Sequence, residues 1–203
     1  MGKKINPILF RLGKTIPYHS LWYADKKKYS KQIKVDFLLR EILKKNLLFI
    51  NISNIDIIIT NILKINIYIN DLDKINEFYL FLDIFIFEFS KILKKNIIIN
   101  FCLEEFINAK ILSLNILNQL ENKISIKKII KKEIIKFIKF FNGCKIQING
   151  RIDGVDIARK EWYLIGSIPL HTIRNELDFY FCEYISQYGV LGIKTWIFKK
   201  KYI

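Results

Sequence analysis

Ser167, His171 and Asp178 have the residue types of a nucleophile, a base and the group that orients it. No nucleophile elbow surrounds the serine, which stands in a strand-like run before Pro169, and nothing further supports acyl transfer. His171 reads instead as a residue that caps a turn or touches RNA. Cys102, Cys144 and Cys182 are odd in number and far apart, with no C-x-x-C spacing. With only His19 and His171 to join them, no zinc site is expected, and the cysteines read as small core residues in a reduced compartment. Asp153 and Asp156 are only a pair, beside Arg151 and Arg159, which is too little for metal-assisted nuclease chemistry. The sequence therefore predicts no enzyme, no metal and no cofactor.

The densest cluster is Gly150-Arg151-Ile152-Asp153-Gly154-Val155-Asp156-Ile157-Ala158-Arg159. Its two glycines frame a turn with exposed N–H groups, but no Gly-Lys-Ser/Thr follows, so a nucleotide loop is excluded. Against 29 Lys the chain holds only 5 Arg. A lysine suffices for general positive charge, so Arg151 and Arg159 point to forked phosphate contact or base stacking, with a structural salt bridge as the alternative. Lys123, Lys127, Lys128, Lys131, Lys132, Lys136 and Lys139 load one helix-like stretch. Helical spacing puts Lys128, Lys132, Lys136 and Lys139 on one ridge, Lys127 and Lys131 on the next, and Ile126, Ile130, Ile134, Phe137, Ile138 and Phe141 opposite. Such a ridge can track a phosphate backbone; a solvated face and a membrane-surface helix are the alternatives. Trp22, Trp162 and Trp196 are dispersed and read as core.

These groups need a scaffold, and the composition supplies one. The 203 residues carry a formal charge of +15, which points to a polyanionic partner, while 51% hydrophobic content excludes a disordered basic tail. There are 43 Ile and 17 Asn, but Ala, Gly, Pro and Arg together number only 19, the signature of an AT-biased gene in an organelle or a reduced endosymbiont. Where Gly, Arg or Pro survives that pressure, a cheaper codon's residue could not do the job. From 41 to 142 there is no Gly, Pro or Arg, so constrained chemistry is expected in 1–17 and 143–192. No secretory signal, myristoylation site or membrane-length apolar run is present, and a soluble protein is expected.

The patterning predicts an extended arm over 1–24, a helix over 26–45 and strands at 55–59 and 65–70. A helix follows over 74–94, then a strand over 96–101. Helices over 107–122 and 125–141 come next, the latter ended by Gly143 as a C-cap. Strands over 144–149, 161–168, 176–186 and 190–198 complete the chain. The expected class is α+β, with domains at 25–105 and 106–203 behind the arm.

Met1-Gly2-Lys3-Lys4-Ile5-Asn6-Pro7 with Phe10-Arg11-Leu12-Gly13 resembles the opening of the small ribosomal subunit protein three family. The resemblance continues in Gln119-Leu120-Glu121, Gly150-Arg151, Ile157-Ala158-Arg159, Glu161-Trp162 and Pro169-Leu170-His171-Thr172-Ile173-Arg174. It closes with Tyr188-Gly189-Val190-Leu191-Gly192-Ile193-Lys194 and Trp196-Ile197-Phe198. His19-Ser20-Leu21-Trp22-Tyr23-Ala24 and Ile152-Asp153-Gly154 are similar to the plastid branch.

The resemblance implies a type II KH domain of α-β-β-α-β order, then a two-layer α/β C-terminal domain, in the head of the small subunit. It implies contact with ribosomal RNA, assigned here to Lys3, Lys4, Arg11, Arg151, Arg159, His171 and Arg174. Lys127, Lys128 and Lys131 would line the path by which messenger RNA enters. Neighbouring head proteins of the S-ten and S-fourteen families are implied partners, with neither a membrane nor a homo-oligomer. One departure is large: no Gly occurs from 14 to 142, so the G-x-x-G loop of a KH domain is missing. The KH fold is therefore expected as a packing scaffold, with Asn70 to Ile75 in place of the loop. A plastid ribosome in the stroma is the expected setting, with the cytoplasm of a reduced bacterium or a mitochondrion as alternatives. With the resemblance to the family's opening starting at Met1, no transit peptide is expected. The competing function is a free RNA-processing or repair enzyme, and a membrane-surface binder is a third reading.

Overall fold

The computed structural model describes residues 5–46, 52–69, 79–93, 95–103, 108–122, 124–137 and 141–199. It is an α+β protein of two compact units, Tyr18–Glu105 and Met1–Pro17 with Phe106–Ile203. Residues 1–24, expected as one extended arm, are shared between these units. Helix α1 (Pro7–Arg11) joins the second unit and strand β1 (Ser20–Trp22) the first. Pro7 starts α1, and the Ile8 N–H donates to the Asn6 side chain at 2.9 Å. A helix this short shows no periodicity in sequence.

In the first unit, β1 is followed by α2 (Lys26–Asn46), β2 (Ile52–Ile59), β3 (Leu63–Ile69), α3 (Tyr79–Leu93) and β4 (Ile97–Leu103). The sheet order is β1-β2-β3-β4, with only the β2–β3 pair antiparallel. Alternation puts Ile55, Ile57 and Ile59 of β2 and Ile65, Ile67 and Ile69 of β3 in the core. Leu39 and Leu43 of α2 and Phe85 of α3 pack on them. The stretch 70–78, with the expected first turn of the 74–94 helix and the loop replacement, lies outside the described residues.

Arg40, late in α2, ties this unit together. Its Nη1 donates to the Ile55 carbonyl at 2.6 Å, and its Nη2 to the His19 carbonyl and Ser20 Oγ, both at 2.8 Å. Nε reaches Asp36 one turn back at 3.1 Å, and Ser20 Oγ donates to the same carboxylate. One fork thus joins α2 to β2 and to the chain entering β1.

The second unit continues with α4 (Ala109–Glu121), α5 (Ile126–Phe137), β5 (Phe141–Gly150), a 3-10 turn (Ile152–Gly154), β6 (Arg159–Gly166), β7 (Leu177–Ser186) and β8 (Gly189–Lys199). The sheet is antiparallel, in the order β6-β5-β8-β7. Ala109, Leu112, Ile116 and Leu120 of α4 and Ile126, Ile129 and Ile130 of α5 meet Cys144, Ile146, Ile148, Ile193 and Ile197 in the core. Asp178 caps α4 from β7, accepting the Ala109 N–H at 2.7 Å, while Thr195 Oγ1 donates to the Ala109 carbonyl.

Gly143, expected to end a helix, lies in β5 opposite Gly166 of β6. The reason is close approach. A Cβ on Gly143 would stand 2.1 Å from the Ser167 oxygen, and one on Gly166, at φ +68, 2.2 Å from the Asn142 oxygen. Both obstacles are backbone and cannot swing away. Gly143→Ala and Gly166→Ala should therefore each destabilise the fold by about 3 kcal/mol or more. Gly189→Ala, where the space is open and only φ is unfavourable, should cost about 1 kcal/mol. Urea unfolding of the three variants checks the order.

Candidate nucleic-acid interface

Helix α5 sorts its residues by period. Ile126, Ile129, Ile130 and Glu133 are buried, while Lys127, Lys128, Lys131 and Lys132 are exposed. The buried side differs from the expected one: Ile129 and Glu133 belong to it, and Phe141 opens β5. Glu133 is held inside by Gln119 of α4, which donates to its carboxylate. Packing that includes a hydrogen-bonded acid is invisible to an apolar count. Lys123 and Lys139, Ile138 and the side chains of Lys136 and Phe137 lie outside the described residues. The four described lysines leave a two-turn cationic face with no carboxylate from the same helix beside it, since Glu133 points inward.

Arg11 is the reverse case. Expected at the RNA surface, it is fully buried. Its Nε donates to the Asn175 carbonyl at 2.8 Å, Nη1 to Pro7 at 3.1 Å, and Nη2 to Thr172, Leu170 and Pro169 at 2.9, 3.0 and 3.2 Å. Burial also lowers the guanidinium's pKa from its ordinary value by desolvation. Every donor edge faces inward, so Arg11 positions the connection 167–176 and α1 instead of touching RNA. The same connection presents His171 and Arg174 outward, both exposed. Lys3 and Lys4 lie outside the described residues.

Arg151 is half-buried, with one edge committed to its own turn and its side chain still 38% exposed. Its Nε donates to the Val155 carbonyl at 2.9 Å, and its guanidinium carbon lies 5.7 Å from the Tyr188 ring centroid. Its ion pair to Asp156 is 3.4 Å long and ends on a fully exposed carboxylate, so it adds little. The fork holds the turn in which Asp153 and Gly154 take φ of 53 and 81. Arg159, at the start of β6 opposite Gly150, is exposed.

The structure brings no triad together. Asp178 is engaged by the Ala109 and Phe179 N–H groups, and Ser167 and His171 are exposed on the connection that Arg11 holds. Cys144 is buried, its thiol pushed up to about 12 by desolvation. Among the described residues no group of three or more His, Cys, Asp and Glu is placed to hold a metal. No helix among them is long and apolar enough to cross a membrane.

Trp162 corrects another expectation. It is 58% exposed, whereas Trp22 packs partly buried against the first unit's core. The missed signal was its register on β6: Tyr163 takes the core side, so its neighbour faces out.

A two-layer α+β unit with outward lysines, arginine and histidine presents the kind of cationic surface that suits a polyanion. Residues 116–197 match the family model for ribosomal protein S3, C-terminal domain. Small ribosomal subunit protein uS3 of Carsonella ruddii is 60% identical over 200 residues, covering 98% of each chain. The protein of the same name in a Nitratiruptor species is 34% identical over 98% of this chain and 89% of its own length. That of Dichelobacter nodosus is 35% identical over 98% and 85%. The chain belongs to the small ribosomal subunit protein uS3 family, and is a structural ribosomal protein, not an enzyme.

Arg11→Met should destabilise the second unit by about 3–5 kcal/mol, because it removes the buried charged donor that five inward carbonyls share. Arg11→Lys should recover less than half, since one ammonium cannot reproduce the fork. Urea unfolding of the full-length variants measures both.

Proposed function

We propose that the chain is a constituent of the small-subunit head that binds ribosomal RNA and lines the path by which messenger RNA enters. The observation that carries the second part is the outward lysine face of α5. Ribosomal RNA contact is assigned to Arg159, His171 and Arg174, with Lys3 and Lys4 kept from the resemblance. Arg11 and Arg151 act one step behind, by holding the segments that carry those groups. The unit Tyr18–Glu105 is read as a KH-type fold without its G-x-x-G loop, a packing scaffold whose Ile-rich sheet supports this reading. Head proteins of the S-ten and S-fourteen families are the proposed neighbours. Of the settings expected from the codon bias, a reduced bacterium is favoured over a plastid by the 60% identity to the Carsonella ruddii protein.

The test replaces Lys127, Lys128 and Lys131 with Gln, which keeps helix propensity and removes charge. Sucrose-gradient sedimentation should find the variant in small subunits as abundantly as the wild type. Binding of structured messages to those subunits should weaken, and the slope of log affinity against log salt should fall by about 0.7 per lysine. Failure of assembly with intact message binding in the residual particles would make these lysines ribosomal RNA anchors and overturn the messenger assignment.

A further inference from the structure

We infer that the face of the β6-β5-β8-β7 sheet turned away from α4 and α5 is a stacking surface for single-stranded RNA. The inference rests on the ribosomal RNA-binding reading above and specifies the form of RNA that this face takes. Strand alternation sends Cys144, Ile146 and Ile148 to the helices and Lys145, Gln147 and Asn149 to the other side. The register then defines three rows across the sheet. They are Leu164–Lys145–Trp196–Phe179, Trp162–Gln147–Lys194–Phe181 and Lys160–Asn149–Gly192–Glu183.

A solvent-facing antiparallel face is ordinarily polar. This one exposes Trp162 at 58%, Leu164 at 48% and Phe181 at 43%, enough apolar surface to indicate a partner. The charges say which kind. Lys145 Nζ lies 5.6 Å from the Trp162 centroid and 5.3 Å from that of Trp196, and Lys194 Nζ lies 5.5 Å from Phe181. With exposed Lys160 the rows hold three lysines against one carboxylate, Glu183. Lysines woven between aromatic rings suit a chain that alternates flat bases with phosphates. A protein partner fits worse, because its apolar surface would desolvate these ammonium groups, and interface cores are depleted in lysine. A duplex fits worse too, since its bases are stacked on one another and unavailable to the rings. Trp162 and Phe181 end one row, three strand spacings or about 14 Å apart. That spans roughly four stacked nucleotides.

The experiment measures the affinity of the full chain for a fluorescent 12-nucleotide single-stranded RNA and for the same RNA annealed to its complement. The single strand should bind about tenfold tighter. Trp162→Ala and Phe181→Ala should each weaken its binding about tenfold, with the salt slope unchanged. Trp162→Phe should restore most of the loss, and circular dichroism should find all three variants folded. Single-strand affinity unmoved by both alanine changes, or equal affinity for the duplex, overturns the inference. Ultraviolet cross-linking of small subunits separates it from the reading on which it rests. Cross-links from Trp162 and Phe181 to nucleotides support it. If the chain is incorporated but these residues cross-link only to protein, the ribosomal reading stands and the stacking surface falls. A wild-type chain that never enters small subunits overturns both.

Discussion

Five backbone carbonyls, from Pro7, Pro169, Leu170, Thr172 and Asn175, converge on one buried guanidinium. Segments more than 150 residues apart in sequence meet there, and one side chain serves the carbonyls of an irregular connection. The cation stays charged because the surrounding oxygens all present their negative ends to it. Within the connection itself only the Thr172 carbonyl has a backbone donor, the Asn175 N–H at 3.4 Å, so the guanidinium is what gathers these groups to one point. The outward placement of His171 and Arg174 follows from the inward placement of Arg11. The group at the surface depends on a group with no surface at all.

Arg40 and Arg151 repeat the device on a smaller scale. In a chain driven toward lysine, three of the five arginines hold backbone carbonyls inside their own unit. The physical reason is geometric. A planar fork offers donors in several fixed directions at once and is weakly hydrated, whereas an ammonium is a compact, strongly hydrated point charge. Surface attraction to a polyanion asks only for charge, and there lysine has been accepted, as on α5. Retention of arginine therefore marks positions where direction matters, and in this protein direction matters most within the fold.

The two units use one solution for their cores and different ones for their surfaces. Isoleucine fills both, alternating on β2 and β3 and again on β5 and β8. A β-branched side chain suits a pleated surface, so the Ile-rich drift of the sequence leaves the sheets intact. The β5–β6 pairing tolerates less drift, since Gly143 and Gly166 sit where two backbones leave no room for a Cβ. The region without glycine, 14–142, contains the whole described strand set of the first unit.

Period and composition determined a large share of this protein. The order of helices and strands from Lys26 onward follows from the 3.6 and 2.0 residue repeats, which are local properties. The +15 charge and the ordered motif blocks pointed to an RNA-bound ribosomal protein, because those are properties of the string itself. Tertiary structure alone decided which polar residues face outward. Arg11 looked like an RNA ligand until its carbonyl partners, distant in sequence, were in place around it. Trp162 looked like core until its strand had a register, and the burial of Glu133 rests on Gln119 of a different helix. A side chain's partners lie wherever folding brings them, and the direction of a polar group is a property of those partners.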